Sequence, residues 1–137
     1  MGLAPEVRAL CIQAARQEPQ FALIGGDIAY ANGAPRNWAR WRQWLSNWSE
    51  TMVTPKGYTV PVTPAIGNHE VQGGYDQRSE KAPFYFALFG SGADASCFRM
   101  QFGSFVAFYF LDSGHLASHA SQVPWLEEVL RADQGLP

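Results

Sequence analysis

Apolar residues recur early in the chain at Val7, Leu10, Cys11, Ala14 and Ala15, the i, i+3, i+4, i+7, i+8 spacing of one helix face. With Pro5 tolerated in the first turn, this predicts a helix that ends before Pro19. Residues 21–24 form an unbroken apolar run closed by Gly25 and Gly26, the pattern of a central parallel strand covered on both faces, with Asp27 just past its carboxyl end. Helical spacing returns at Trp38, Trp41, Leu45 and Trp48, with Asn37 as the predicted cap and Thr54, Pro55 and Gly57 as the break. Residues 60–66 predict a second short strand, which Pro61 and Pro64 confine to Ala65 and Ile66. Residues 71–83 are polar and contain glycine, a loop long enough to suggest a function.

Further on, Phe98, Met100 and Phe102 alternate with Arg99 and Gln101, Gly103 and Ser104 suit a hairpin turn, and residues 105–111 return as an apolar strand ending at Asp112. A last helix is predicted from Ser121, with Val123, Leu126, Val129 and Leu130 inward. The order helix, strand, helix, strand, hairpin, helix is that of an α/β layered domain, with no internal repeat or linker.

Composition supports a packed domain. The 137 residues are 47% hydrophobic and 14% aromatic, enough to bury a core. A formal charge of -2 and the scatter of the ten basic residues give no footprint for nucleic acid. Residues 1–20 lack the apolar core of a signal peptide, and no apolar run approaches the roughly 18 residues that span a bilayer, so no membrane partner is expected. Cys11 and Cys97 lie in a helical and a strand pattern; they are able to pair, but two buried thiols are the simpler reading.

The candidate chemistry sits in two loops with the same grammar. "GGDIAYANG" follows the first strand and "AIGNHE" the second, each bringing polar side chains directly after glycine. In an open α/β sheet ligands bind outside the carboxyl ends of the strands, so Asp27 and the 67–70 loop converge there if the two strands are neighbours. Asp27 offers oxygens able to bridge two cations, Asn68 a carbonyl oxygen, Tyr30 a phenolate and His69 an imidazole, a set suited to Fe, Mn or Zn.

In order and residue type, these loops resemble the second and third motifs of the calcineurin-like metallophosphoesterases, and the GDxxY form is similar to that of the purple acid phosphatases. "PWLEEVL" after "FLDSG" extends the resemblance more loosely. The resemblance implies a layered metallophosphoesterase-like sandwich and a dinuclear centre of Fe with Zn, Mn or Fe. In it Asp27 bridges both metals, Tyr30 binds the ferric ion and Asn68 the divalent one. His69 orients the substrate or stabilises the transition state, and the reaction is hydrolysis of a phosphate ester. Such phosphatases are often exported.

The family's first motif, an upstream strand ending in Asp, and its later lone histidine and GHxH have no counterpart here, so two of five motifs are present. The expectation is a partial catalytic domain over residues 1–137, with apolar strand edges open to self-association. Two rival expectations stand beside it. One is a phosphodiesterase or nuclease of the same superfamily that uses Mn or Zn without Tyr30 as ligand; the other is a non-catalytic interaction module.

Other polar positions carry plainer readings. His115 and His119, four apart in "SGHLASH", read as solvated loop histidines, and Asp112 as a turn or cap residue. The tryptophans of the second helix read mostly as core, with some able to line the rim of the site.

Overall fold

The computed structural model describes residues 4–90 and 95–135, a mixed arrangement of helices and strands. Helix α1 (Pro5–Ala15) leads to β1 (Ala22–Ile24), followed by α2 (Trp38–Thr51) and β2 (Val62–Pro64). A helix α3 (Pro83–Phe89) precedes the hairpin β3 (Phe98–Phe102) and β4 (Val106–Phe110), and α4 (His119–Ala132) closes the order. The predicted order is thus present with one addition, α3, which starts at the last residue of what the sequence reads as a loop. "PFYFALF" is apolar all round, so it shows no helical stripe; it is held by burial.

The strands β1 and β2 are parallel neighbours, in register Ala22 with Val62, Leu23 with Thr63 and Ile24 with Pro64. Ala22 N donates to Pro61 O and Ala65 N to Ile24 O, both at 2.8 Å. Odd-numbered positions of β2 therefore face β1, which is why Pro64, lacking an N–H, fits inside the strand rather than ending it. The expectation of a central, doubly covered β1 is not met. Among the described residues the sheet has two strands, and Leu23 is 42% exposed.

The helices pack on faces shifted from those the spacing predicts. α1 rests on α2 through Arg8, Cys11 and Ala15, while Val7 and Leu10 face outward. In α2 the buried positions are Trp41, Trp44, Asn47 and Thr51, and Trp38 is largely exposed. Asn37 stands at the start of α2 without capping it, its amide donating instead to Ala31 O at 2.9 Å. In α4, which begins two residues before its predicted start, Ser118 is the cap and Gln122 the buried residue, leaving Val123 and Leu130 exposed.

The main core joins Ile28, Ala31, Trp41 and Trp44 to Phe84 and Phe89 of α3. A second cluster of Ile66, Val71, Ala82 and Tyr85 shares Phe89 with it, and the Tyr85 hydroxyl donates to Pro64 O at 2.9 Å. The loops after β1 and β2 are thereby packed against α3. The β3–β4 hairpin docks through Phe102, whose ring stacks on Phe21 at 4.7 Å.

Candidate functional site

The two glycine-containing loops meet. A Cβ added to Gly67 would lie 2.5 Å from Asp27 Oδ1 and 2.6 Å from Asp27 N, and one on Gly26 would lie 2.7 Å from Gly67 Cα. These are distances that real side chains do not occupy, so glycine at 26 and 67 is what lets the backbones touch. Gly33 does the same against Gln72 and Lys81.

The clamp between the loops is Glu70. It is 1% exposed, and its carboxylate accepts from Asp27 N (2.7 Å), Ile28 N (2.8 Å) and Gly67 N (3.0 Å). Burial pushes its carboxyl above the ordinary value, opposed by these three amide donors and reinforced by the Asp27 charge. The sequence reading gave Glu70 no role. Its signal was the spacing: a glutamate three residues after Gly67 returning to the N–H of the residue before a helical turn, as in a capping box.

Above the clamp, Asp27 Oδ1 accepts from His69 N at 3.2 Å. The end of the Asn68 amide that faces Asp27 lies 3.1 Å from Oδ1 and 3.3 Å from Oδ2. Two arrangements satisfy this contact: the nitrogen donates to the carboxylate, or the oxygen turns inward and shares a cation with it. His69 Nδ1 lies 2.5 Å from Asn32 Oδ1, and the Tyr30 ring lies over the imidazole with centroids 4.0 Å apart. Asn32 thus holds Nδ1–H as a donor and leaves Nε2 for a ligand. Asn32 also escaped the sequence reading, because an asparagine two residues after a tyrosine carries no spacing signal.

Backbone geometry sets this loop apart. Asp27, Tyr30 and Asn32 all adopt left-handed φ angles of 53 to 56°, three of the five such non-glycine residues among those described. The conformation is tolerable for Asp and Asn and unusual for a tyrosine.

Of the residues singled out from the sequence, Asp27, Asn68 and His69 come together. Tyr30 joins them only through the His69 ring; its hydroxyl makes no hydrogen bond among the described residues, and Arg40 Nη1 donates to its carbonyl oxygen at 2.9 Å. As donors, Asp27 and Asn68 fit part of a hard-cation site. Among the described residues, however, no group of three His, Cys, Asp or Glu is placed to hold a metal.

The remaining readings divide. Asp112 is a turn residue as expected: its carboxylate accepts from the backbone N–H of Gly114, His115, Leu116 and Ala117 at 2.8 to 2.9 Å. His115 is not a solvated loop histidine. It is 8% exposed and stacked on Tyr75, because the 71–83 loop is pinned to it by Gln77 N donating to His115 O at 2.7 Å; His119 is exposed at the start of α4. Cys11 and Cys97 are both free thiols and half-buried. Among the described residues no helix is long and apolar enough to cross a membrane. No protein-family model, no curated protein and no solved structure matches this chain.

Proposed function

We propose that this chain carries part of the catalytic centre of a metal-dependent phosphoesterase that hydrolyses phosphate esters in the manner of an acid phosphatase. The observation that supports this reading is the meeting of Asp27 and Asn68 at 3.1 to 3.3 Å, beyond the carboxyl ends of two parallel neighbouring strands. In this reading Asp27 and Asn68 hold the cations, and His69 faces the substrate. A dinuclear centre supplies, when bound, polarisation of the phosphoryl group and acidification of a water.

The chain's own groups do the positioning. Glu70 fixes the backbone of Asp27, so the carboxylate enters the site at a set height. Asn32 holds the Nδ1–H of His69 and turns Nε2 outward, where the doubly protonated ring hydrogen-bonds a phosphoryl oxygen through Nε2–H or gives that proton to the leaving alkoxide as the P–O bond breaks, remaining neutral with its proton on Nδ1. The layered sandwich, and the other ligands such a centre needs, belong to the same proposal.

The test is a titration of the isotope-labelled chain with Mn²⁺, read by paramagnetic broadening of backbone amides. The reading expects broadening centred on residues 26–30 and 67–70 that Asp27→Ala abolishes; equal broadening in the wild type and the variant sinks it.

One observation favours a second reading within the same chemistry. Tyr30 lies on His69 rather than against Asp27, which suits a phosphodiesterase or nuclease centre holding Mn or Zn without a phenolate ligand. Ferric loading separates the two: a phenolate-to-iron absorption band lost in Tyr30→Phe supports the phosphatase form, and a colourless iron-loaded protein supports the other.

A further inference from the structure

The basic residues that lie scattered in the sequence are partly gathered in the fold. A groove of about 1060 Å³ runs between α1 and α2, with residues 28–30, immediately after Asp27, among those lining it. Arg8, Arg40 and Arg42 line it together with the polar side chains of Gln43 and Asn47, and among the described residues no carboxylate lines it. Arg8 is offset, since it pairs with Glu50 at 3.1 Å and donates to Asn47 Oδ1 at 3.1 Å. Arg40 bonds the neutral carbonyl of Tyr30, which ties its guanidinium to the candidate site's own loop, and it forms no salt bridge among the described residues. Arg42 forms no salt bridge among the described residues.

Resting on the phosphoesterase reading, we infer that this groove binds a second phosphate of the substrate, so that the preferred substrates are di- or triphosphates rather than simple monoesters. Three features of the groove support this. Guanidinium groups match phosphate oxygens in geometry as well as charge. The volume exceeds what one phosphate requires and suits a nucleotide-sized ligand. Residues 28–30, the three that follow Asp27 in the chain, also line the groove, so it adjoins the loop that carries the candidate ligand.

The test uses the whole chain with EDTA present, so that binding reports the arginines and not a cation. Inorganic tripolyphosphate and orthophosphate are titrated separately by calorimetry, with amide shifts mapping the site. Tripolyphosphate is expected to bind at least about tenfold more tightly than orthophosphate, to weaken with added salt, and to shift residues of α2 and residues 28–30. Arg42→Gln is expected to weaken it by about tenfold, the usual worth of one charged hydrogen-bonded contact, and Arg40→Gln with Arg42→Gln to remove the preference. Arg42→Lys, which keeps the charge without the fork, falls between. Arg78→Gln, lying outside the groove, serves as the control for nonspecific charge loss.

Equal affinity for the two anions, an unchanged double variant with native near-ultraviolet dichroism, or shifts mapping elsewhere would each overturn the inference. If Mn²⁺ broadening maps to Asp27 while tripolyphosphate fails to bind the groove, only the inference falls. If the metal titration fails and the groove binds, the phosphoesterase reading falls first.

Discussion

Glu70 reaches across from the second loop to hold Asp27, its Oε2 lying 2.7 Å from the Asp27 backbone nitrogen and 3.0 Å from that of Gly67. One side chain therefore ties the approach of both loops to a single carboxylate. Both oxygens accept, and only from N–H groups. Glu70→Gln must point its NH₂ at a backbone N–H, and a loss of about 2 kcal/mol in unfolding free energy is expected.

The same residue shapes the pH profile. Its folded-state carboxyl is raised by burial, so the native state holds its proton more readily than the unfolded chain does. Its contribution is fully present below the unfolded value near 4.5 and is lost as pH rises through the folded value. Urea unfolding at a series of pH values should show this falling component in the wild type and not in Glu70→Gln; identical profiles would contradict it.

The close approach of the loops gives a prediction with an internal control. Gly67→Ala inserts a methyl 2.5 Å from Asp27 Oδ1, and the expected result is a loss of about 2 to 3 kcal/mol together with loss of Mn²⁺ broadening at residue 27. Gly25→Ala meets nothing within 4 Å and should leave both unchanged.

Asp112 organises the turn after β4. Asp112→Ala strands the four N–H groups of residues 114–117, and about 3 kcal/mol of stability should go with it, visible as accelerated hydrogen exchange at those four amides. Burial pushes this carboxyl up, but the Ser96 side chain and the turn amides hold it below its usual value. Its stabilisation is therefore present above the unfolded value of 3.8 and is lost as pH falls through the folded one. Acid unfolding of the wild type and convergence of the two proteins at low pH are the expected outcomes.

Asn32 is expected to set the His69 tautomer. In the wild type, nitrogen chemical shifts should report a protonated Nδ1 in the neutral ring, and Asn32→Ala should move the population toward Nε2–H. An unchanged tautomer ratio would remove Asn32 from its assigned place.

With Asp27 shared, Tyr30 on one cation and Asn68 on the other, each cation would see two protein donors from this chain. Catalytic metal sites keep about three apiece, so the 137-residue chain alone should show weak metal affinity and no turnover of a generic phosphomonoester. Robust turnover by the purified chain would mean that ligands outside this set complete the centre, with His119 and a second copy of the chain as the first places to look.

What the sequence disclosed followed from what periodicity can carry. The strands around Asp27 and Asn68 were legible because short apolar runs ended in glycine, and their parallel pairing brought the two residues together. The faces of α1 and α2 were not. Arg8 and Asn47 pair across the contact between those helices, and a polar pair at a helix interface is invisible to a hydrophobic stripe. Helix α3 was missed because it is apolar on every side. Glu70 and Asn32 act through hydrogen bonds to another loop or ring, a relation that depends on the fold and leaves little trace in local spacing.

The left-handed residues at 27, 30 and 32 have a consequence for anyone improving this protein. Each such non-glycine residue costs on the order of 1 kcal/mol, and the expense falls on the side chains the site uses. A library selected for heat resistance alone would be drawn toward glycine at Asp27 and toward glycine or asparagine at Tyr30, erasing the carboxylate and the ring while the melting temperature climbs. Any screen for robustness should therefore carry a ligand in every round, so that the loop is rewarded for what it holds and not only for how comfortably it sits.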